Sequence, residues 1–167
     1  MMSIILPSED CDLIYIERWG DKAVYHWLGA CPDESYPEQY QLVINLYGCF
    51  PSRVAKDGLP KGLICFTMPF YDVEKPDLLP TRSQLTALLM SVRSTTCELL
   101  NQDNHIDVLW HCQAGINRSA FVLALYLMEM HQFHHSAAIE LIHARRSDLC
   151  LGNRLFVETL KGWNNAD

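Results

Sequence analysis

Cys112 and Arg118 stand six residues apart in the stretch HCQAGINRS, His111 to Ser119, a spacing that pairs a candidate nucleophile with a candidate anion clamp. The five residues between them, Gln113, Ala114, Gly115, Ile116 and Asn117, include no proline, so every backbone N–H is free to donate. Gly115 can take the positive φ that curls a short loop without a Cβ penalty. Successive N–H groups turned inward make an anion-binding nest, and a helix beginning at Arg118 would add its partial positive charge. Such a cup fits a phosphoryl group, held by the backbone of Gln113 to Asn117 and closed by a bidentate pair from Arg118. The same field favours the thiolate of Cys112, and a thiolate at the floor of a phosphate cup points to covalent phosphoryl transfer. Ser119 is placed to hydrogen-bond the sulfur, and His111 to orient the loop through its ring nitrogens. The side chains of Ala114 and Ile116 read as packing. Of the seven cysteines only Cys112 has an arginine at this spacing.

The elements around the loop must hold that geometry. "IDVLWH" (106–111) reads as a strand delivering Cys112 to its C-terminal end, where open α/β sheets form ligand crevices. "SAFVLALYLMEM", apolar nearly all round, reads as a helix buried in the middle of the fold. Upstream, "DLIYIERW" (12–19) and "AVYHWLG" (23–29) have strand composition, with Gly20-Asp21 as the turn between them. "YQLVINLYG" (40–48) and "LICFTMPF" (63–70) are continuous apolar runs, as expected of strands covered on both faces. The Pro-, Gly- and Lys-rich segment 49–62 reads as a loop. Leu85, Leu88, Leu89, Val92, Thr96 and Leu99 recur at helical spacing behind a Thr/Ser-rich start that can cap the helix. "HSAAIELIHARR" and "RLFVETLKGW" read as two more helices. Strands first and helices later suit an α/β or α+β domain, and the expected fold class is α/β: a single domain over 1–167, with a central, mostly parallel sheet of about five strands flanked by helices.

Composition limits the function classes. A chain of 167 residues, 49% hydrophobic and 20% charged, has the composition of a soluble globular protein and is expected to form a single domain. Its formal net charge of −7 disfavours nucleic acid and anionic lipid as partners. No apolar stretch is long enough to span a membrane, and "MMSIILPSEDCD" lacks a signal peptide's basic flank and apolar core, so a cytoplasmic location is expected. The cysteines are scattered with no C-x-x-C pair, and His134-His135 has no carboxylate or cysteine at ligand spacing, so neither a metal nor another cofactor is expected. Arg145 and Arg146 close a helix, where cations meet the dipole favourably, the expected role of at least one of them. Asn153 reads as a cap or turn residue.

"HCQAGINRS" resembles the H-C-x5-R-[ST] signature of the cysteine-dependent protein tyrosine phosphatases, and its form H-C-x-A-G-x-x-R-S is similar to that of the small dual-specificity phosphatases. "WLGA", "VINLYG", "MPFYDVEKPDL", "ALYLM" and "ARRSDLCLGNRLF" follow in the family's order, from about residue 24 onward. The resemblance implies phosphate monoester hydrolysis on phosphoprotein, at phosphotyrosine or at phosphoserine and phosphothreonine, through a phosphocysteine on Cys112. It implies that Arg118 and the loop amides hold the phosphoryl oxygens and that Ser119 helps the thiolate leave. A loop aspartate protonates the leaving oxygen; "MPFYD" puts Asp72 in that position, with Asp77 and then Glu74 as competitors. The loop has no lysine or histidine between Cys112 and Arg118, unlike the phosphoinositide phosphatases of the superfamily. Asn117 before the arginine is similar to the RNA 5′-triphosphatase branch, although Ala114 stands where that branch has histidine. That branch and a non-catalytic phosphate-binding module are the alternatives.

Overall fold

A computed structural model describes residues 11–165, so most of the N-terminal stretch read for a signal peptide lies outside it. Five strands form one sheet: β1 (Cys11–Trp19), β2 (Lys22–Ala30), β3 (Leu42–Asn45), β4 (Ile64–Thr67) and β5 (His105–Cys112). Their order across the sheet is β1-β2-β5-β3-β4; the β1–β2 hairpin is antiparallel and every other pairing parallel. The hairpin turns at Gly20-Asp21, with Gly20 at φ +66°. The strand that ends in Cys112 is therefore the central one.

Side-chain alternation along β3 and β5 explains their unbroken apolar sequence. Leu42, Ile44, Val108 and Trp110 face a large core with the long helices, while Val43 and Leu109 face a smaller one with Tyr36, Tyr40 and Val54. Both faces are thus dry. The fourth strand differs from expectation: it lies at the sheet edge, and Ile64 is exposed. Both apolar runs also exceed their strands; β3 ends where Asn45 Oδ1 accepts the N–H groups of Tyr47 and Gly48 (3.0 Å each), replacing ladder bonds with a side-chain turn.

Four helices pack into the large core: α2 (Arg82–Leu100), α3 (Arg118–His131), α4 (His135–Arg145) and α5 (Arg154–Gly162). We number as α1 a six-residue helix, Ser52–Asp57, inside the segment read as a loop. It is too short for periodicity to reveal, and Val54 is its one buried residue. Thr81 caps α2 reciprocally: Gln84 N–H donates to Thr81 Oγ1 (3.3 Å) and Thr81 N–H to Gln84 Oε1 (2.8 Å). Leu100, rather than the half-buried Leu99, completes the buried stripe of α2. Along α3 every residue from Arg118 to Met128 is buried. No helix among the described residues is long and apolar enough to cross a membrane.

Candidate active site

The turn from β5 into α3 is the loop 113–117, and its shape is imposed from outside. Four successive carbonyls are taken by donors elsewhere in the chain. Cys31 N–H donates to Gln113 O (3.3 Å), Arg146 to Ala114 O (3.3 Å) and Gly115 O (2.8 Å), and Leu151 N–H to Ile116 O (3.1 Å). With the carbonyls drawn outward, the amides are left for the interior of the curl. Gly115 sits at φ +66°, and a Cβ there would lie 2.2 Å from the carbonyl carbon of Gly29 on β2. Glycine is thus required twice over, by conformation and by the close approach of the neighbouring strand.

Cys112 is buried under this loop, and Ser119 Oγ lies 3.3 Å from its sulfur. Burial opposes the thiolate, but the hydroxyl and backbone N–H of Ser119, the Gly115 amide and the charge of Arg118 outweigh it and lower the thiol's pKa. Arg118 opens α3 with its guanidinium largely buried: Nη1 donates to Phe70 O (2.9 Å) and Leu46 O (3.5 Å), and the group stacks 5.3 Å from the Tyr47 ring centre. Those carbonyls belong to the segments after β4 and β3, so Arg118 ties two neighbouring loops to the third.

His111 is buried and held neutral, its pKa lowered to about 4 by burial. A carbonyl only accepts, so Nδ1–H must be the donor toward Cys112 O (3.4 Å), leaving Nε2 to accept from Tyr36 OH (3.0 Å). His111 therefore joins the backbone of Cys112 to a tyrosine that the sequence did not single out.

Asp72 reaches the loop from the irregular segment after β4. Asn117 Nδ2 donates to its Oδ2 (2.7 Å), and Asn153 donates both to its Oδ1 and to Val73 O (2.9 Å). Asn153 also does what its sequence position implies, capping α5 by accepting from Leu155 N–H (2.9 Å) and Phe156 N–H (3.4 Å). Asp77 lies in a short 3₁₀ turn, Pro76–Leu78, and makes none of these contacts. Beside Asp72 opens a cleft of about 850 Å3, lined by Glu74, Asn117, Asn153, Arg154 and Glu158 among others.

Some expectations are corrected here. Ala114 is exposed rather than packed, and Ile116 only half-buried. Arg145 ends α4 as expected of a cation at a helix C-terminus, but Arg146 turns to the loop 113–117 and to Asp12 on β1 (2.7 Å). No sequence signal separates the two arginines; one residue of helical rotation does. His134 caps α4 by accepting from Ser136 N–H, and no group of three His, Cys, Asp or Glu residues among the described residues could share a metal ion.

Comparison of the fold with solved structures gives a similar picture from several proteins. PTPMT1 in complex with PI(5)P superposes at a TM-score of 0.62 with 21% identity, over 90% of this chain and 95% of that one. Human DUSP28 gives 0.60 with 15% identity over 90% and 95%. The kinase associated phosphatase KAP, with its catalytic-site cysteine replaced by serine, gives 0.59 with 16% identity over 84% and 86%. At such identities the likeness establishes the fold. No curated protein matches the sequence. The family model for the dual specificity phosphatase catalytic domain matches residues 66–166, from within β4 through α5, and so spans Asp72, the loop, Arg146 and Asn153. More than half of the chain, including Cys112, Arg118 and Asp72, thus falls within the family match, and the protein belongs to the dual specificity phosphatase catalytic-domain family of cysteine-based phosphatases.

Proposed function

We propose that the protein hydrolyses phosphate monoesters on phosphoprotein, at phosphotyrosine or at phosphoserine and phosphothreonine. The observation that carries this reading is the sulfur of Cys112 beneath a loop whose carbonyls from Gln113 to Ile116 are engaged outward, with the thiolate favoured and a carboxylate at the rim. The thiolate attacks phosphorus as the bond to the ester oxygen breaks, and that oxygen takes its proton from Asp72. Arg118 and the inward amides of Gln113 to Asn117 hold the three remaining oxygens, the group Arg's planar fork matches. Water then attacks the phosphocysteine and gives a proton back to Asp72, while sulfur leaves as thiolate with the Ser119 hydroxyl donating to it. A binding module without turnover would not need the carboxylate there.

Protein is preferred as substrate because of what surrounds the loop. The adjoining cleft carries Glu74 and Glu158 against one cation, Arg154, and the loop interior holds no cation besides Arg118, which disfavours polyanionic ligands. Inositol lipid is the competing class, since PTPMT1 has been crystallised with PI(5)P. RNA 5′-triphosphate is the other, suggested only by Asn117. The deciding assay offers phosphotyrosyl and phosphothreonyl peptides, PI(5)P in vesicles and triphosphate-ended RNA to wild type and Cys112→Ser. Turnover of peptide in preference to the other two, absent from Cys112→Ser, is the expected result. Preference for the lipid or the RNA would reassign the substrate, and turnover by Cys112→Ser would reject the thiol mechanism.

A further inference from the structure

The contact between Asn117 and Asp72 does more than join two loops. Asn117 occupies the N-cap position of α3, where an asparagine side chain ordinarily accepts from the first helical amides, yet it makes no capping bond. Its Nδ2 instead donates to Asp72 Oδ2 at 2.7 Å, and its Oδ1 is buried with no hydrogen-bond partner among the described residues. The other amide on Asp72, that of Asn153, has no such freedom: its oxygen is committed to two backbone N–H groups of α5, so only its NH2 can face the carboxylate.

We propose that Asn117 is a positioning residue for the general acid, holding Asp72 at the phosphate loop in both of its protonation states by turning its side-chain amide over. The inference rests on the reading of Asp72 given above. A carboxylate needs donors, and in the resting arrangement each oxygen has one. When Asp72 carries the proton it will deliver, the protonated oxygen needs an acceptor. Asn153 cannot supply one at Oδ1, whereas a half-turn of Asn117 brings its unpartnered Oδ1 to face Asp72 Oδ2. One end of the Asn117 amide is unpaired in either orientation, so the turn costs no hydrogen bond. The proton is thereby placed on Oδ2, the oxygen beside the residue preceding Arg118. Alanine lacks both functions.

The test is the dependence of kcat/KM on leaving-group basicity, measured with a series of aryl and alkyl phosphates for wild type, Asn117→Ala, Asp72→Asn and the double variant. Asn117→Ala should steepen that dependence, shifting the ratio of rates for a basic against an acidic leaving group by about tenfold or more, a share of the ~10²–10⁴ that general acid catalysis supplies. In the Asp72→Asn background the same substitution should leave the ratio unchanged, because the partner it serves is gone. The alkylation rate of Cys112 reports whether the loop itself is intact. An equal loss across all leaving groups, or a steepening that persists without Asp72, would overturn the proposal while leaving the phosphatase reading standing. Failure of wild type to turn over any ester, or turnover by Cys112→Ser, would overturn both.

Discussion

At the scale of single residues the site separates groups whose chemistry is replaceable from groups whose shape is not. The Cys112 thiolate is favoured by Ser119, two amides and Arg118 against burial, so its reactivity should stand apart from the other six cysteines. Burial raises the thiols of Cys31, Cys65 and Cys150, with Cys31 pushed up to about 11. Iodoacetamide at mildly acidic pH should therefore label Cys112 first, with inorganic phosphate protecting it; equal labelling of Cys97, read by mass spectrometry, would contradict the assignment. Arg118→Lys keeps the charge and loses the fork, and should lower kcat/KM by about 10²-fold or more, the scale of losing an oriented transition-state donor, with the fold intact by circular dichroism. Asp72→Asn should depress turnover of a phosphopeptide by ~10²- to 10⁴-fold and that of a strongly acidic phenol ester far less, since only the basic leaving oxygen needs the proton. Asp77→Asn, outside the hydrogen-bonded cluster, should do neither; exchanged behaviour would move the acid to Asp77.

Elements act here as the frame that turns backbone into a binding group. The loop curls because Cys31 at the end of β2, Arg146 after α4 and Leu151 before α5 each claim one or two of its carbonyls, so three separate elements must be in place before the amides face inward. Gly115→Ala would press a methyl into the backbone of Gly29 and should unseat the loop entirely, abolishing turnover and Cys112 selectivity together. Arg146→Ala removes donors from two carbonyls and leaves Asp12 without its cation. It should weaken phosphate protection of Cys112 more than it lowers Tm, because Asp12 is partly exposed and such ion pairs contribute little to stability. The check is phosphate protection of the thiol measured alongside a thermal melt.

Across the whole molecule, buried ionisable groups make stability depend on pH in two stages. His26 and His111 are both buried and both held below their usual 6.5, His111 at about 4. The unfolded chain takes up their protons first, so stability falls as pH drops below about 6.5, and His111 alone is worth about 3 kcal/mol across the window down to pH 4. Glu17 enters later. Burial would raise its pKa, but hydrogen bonds with His131 (3.2 Å) and His26 (3.4 Å) and their charges hold it well below the usual carboxylate range; Arg93, Tyr126 and Trp19 also bond its carboxylate. Its contribution is full above about 4.5, the unfolded value, and is lost as pH falls toward the folded one. Thermal melts from pH 8 to 3 should thus show Tm declining from about pH 6.5 and more steeply below 4.5. His111→Gln should flatten the first stage, and an unchanged slope would show that other groups set it.

What was legible in the sequence follows from local physics. Strand content, the β1–β2 turn, the capped α2 and the Cys112-to-Arg118 loop are set by residues adjacent in the chain, where side-chain alternation, helical spacing and glycine's freedom act directly. Asp72 was reached through resemblance, because nothing local distinguishes one loop carboxylate from Asp77 or Glu74. Only the tertiary structure separates them, by bringing Asn117 and Asn153 from 45 and 81 residues away to its two oxygens. It likewise decides that Arg146 rather than Arg145 braces the loop, that Tyr36 is the partner of His111 Nε2, and that β4 is an edge. Each of these depends on which groups meet across the sheet, and chain position carries no information about a hydrogen-bond partner until the strands are ordered.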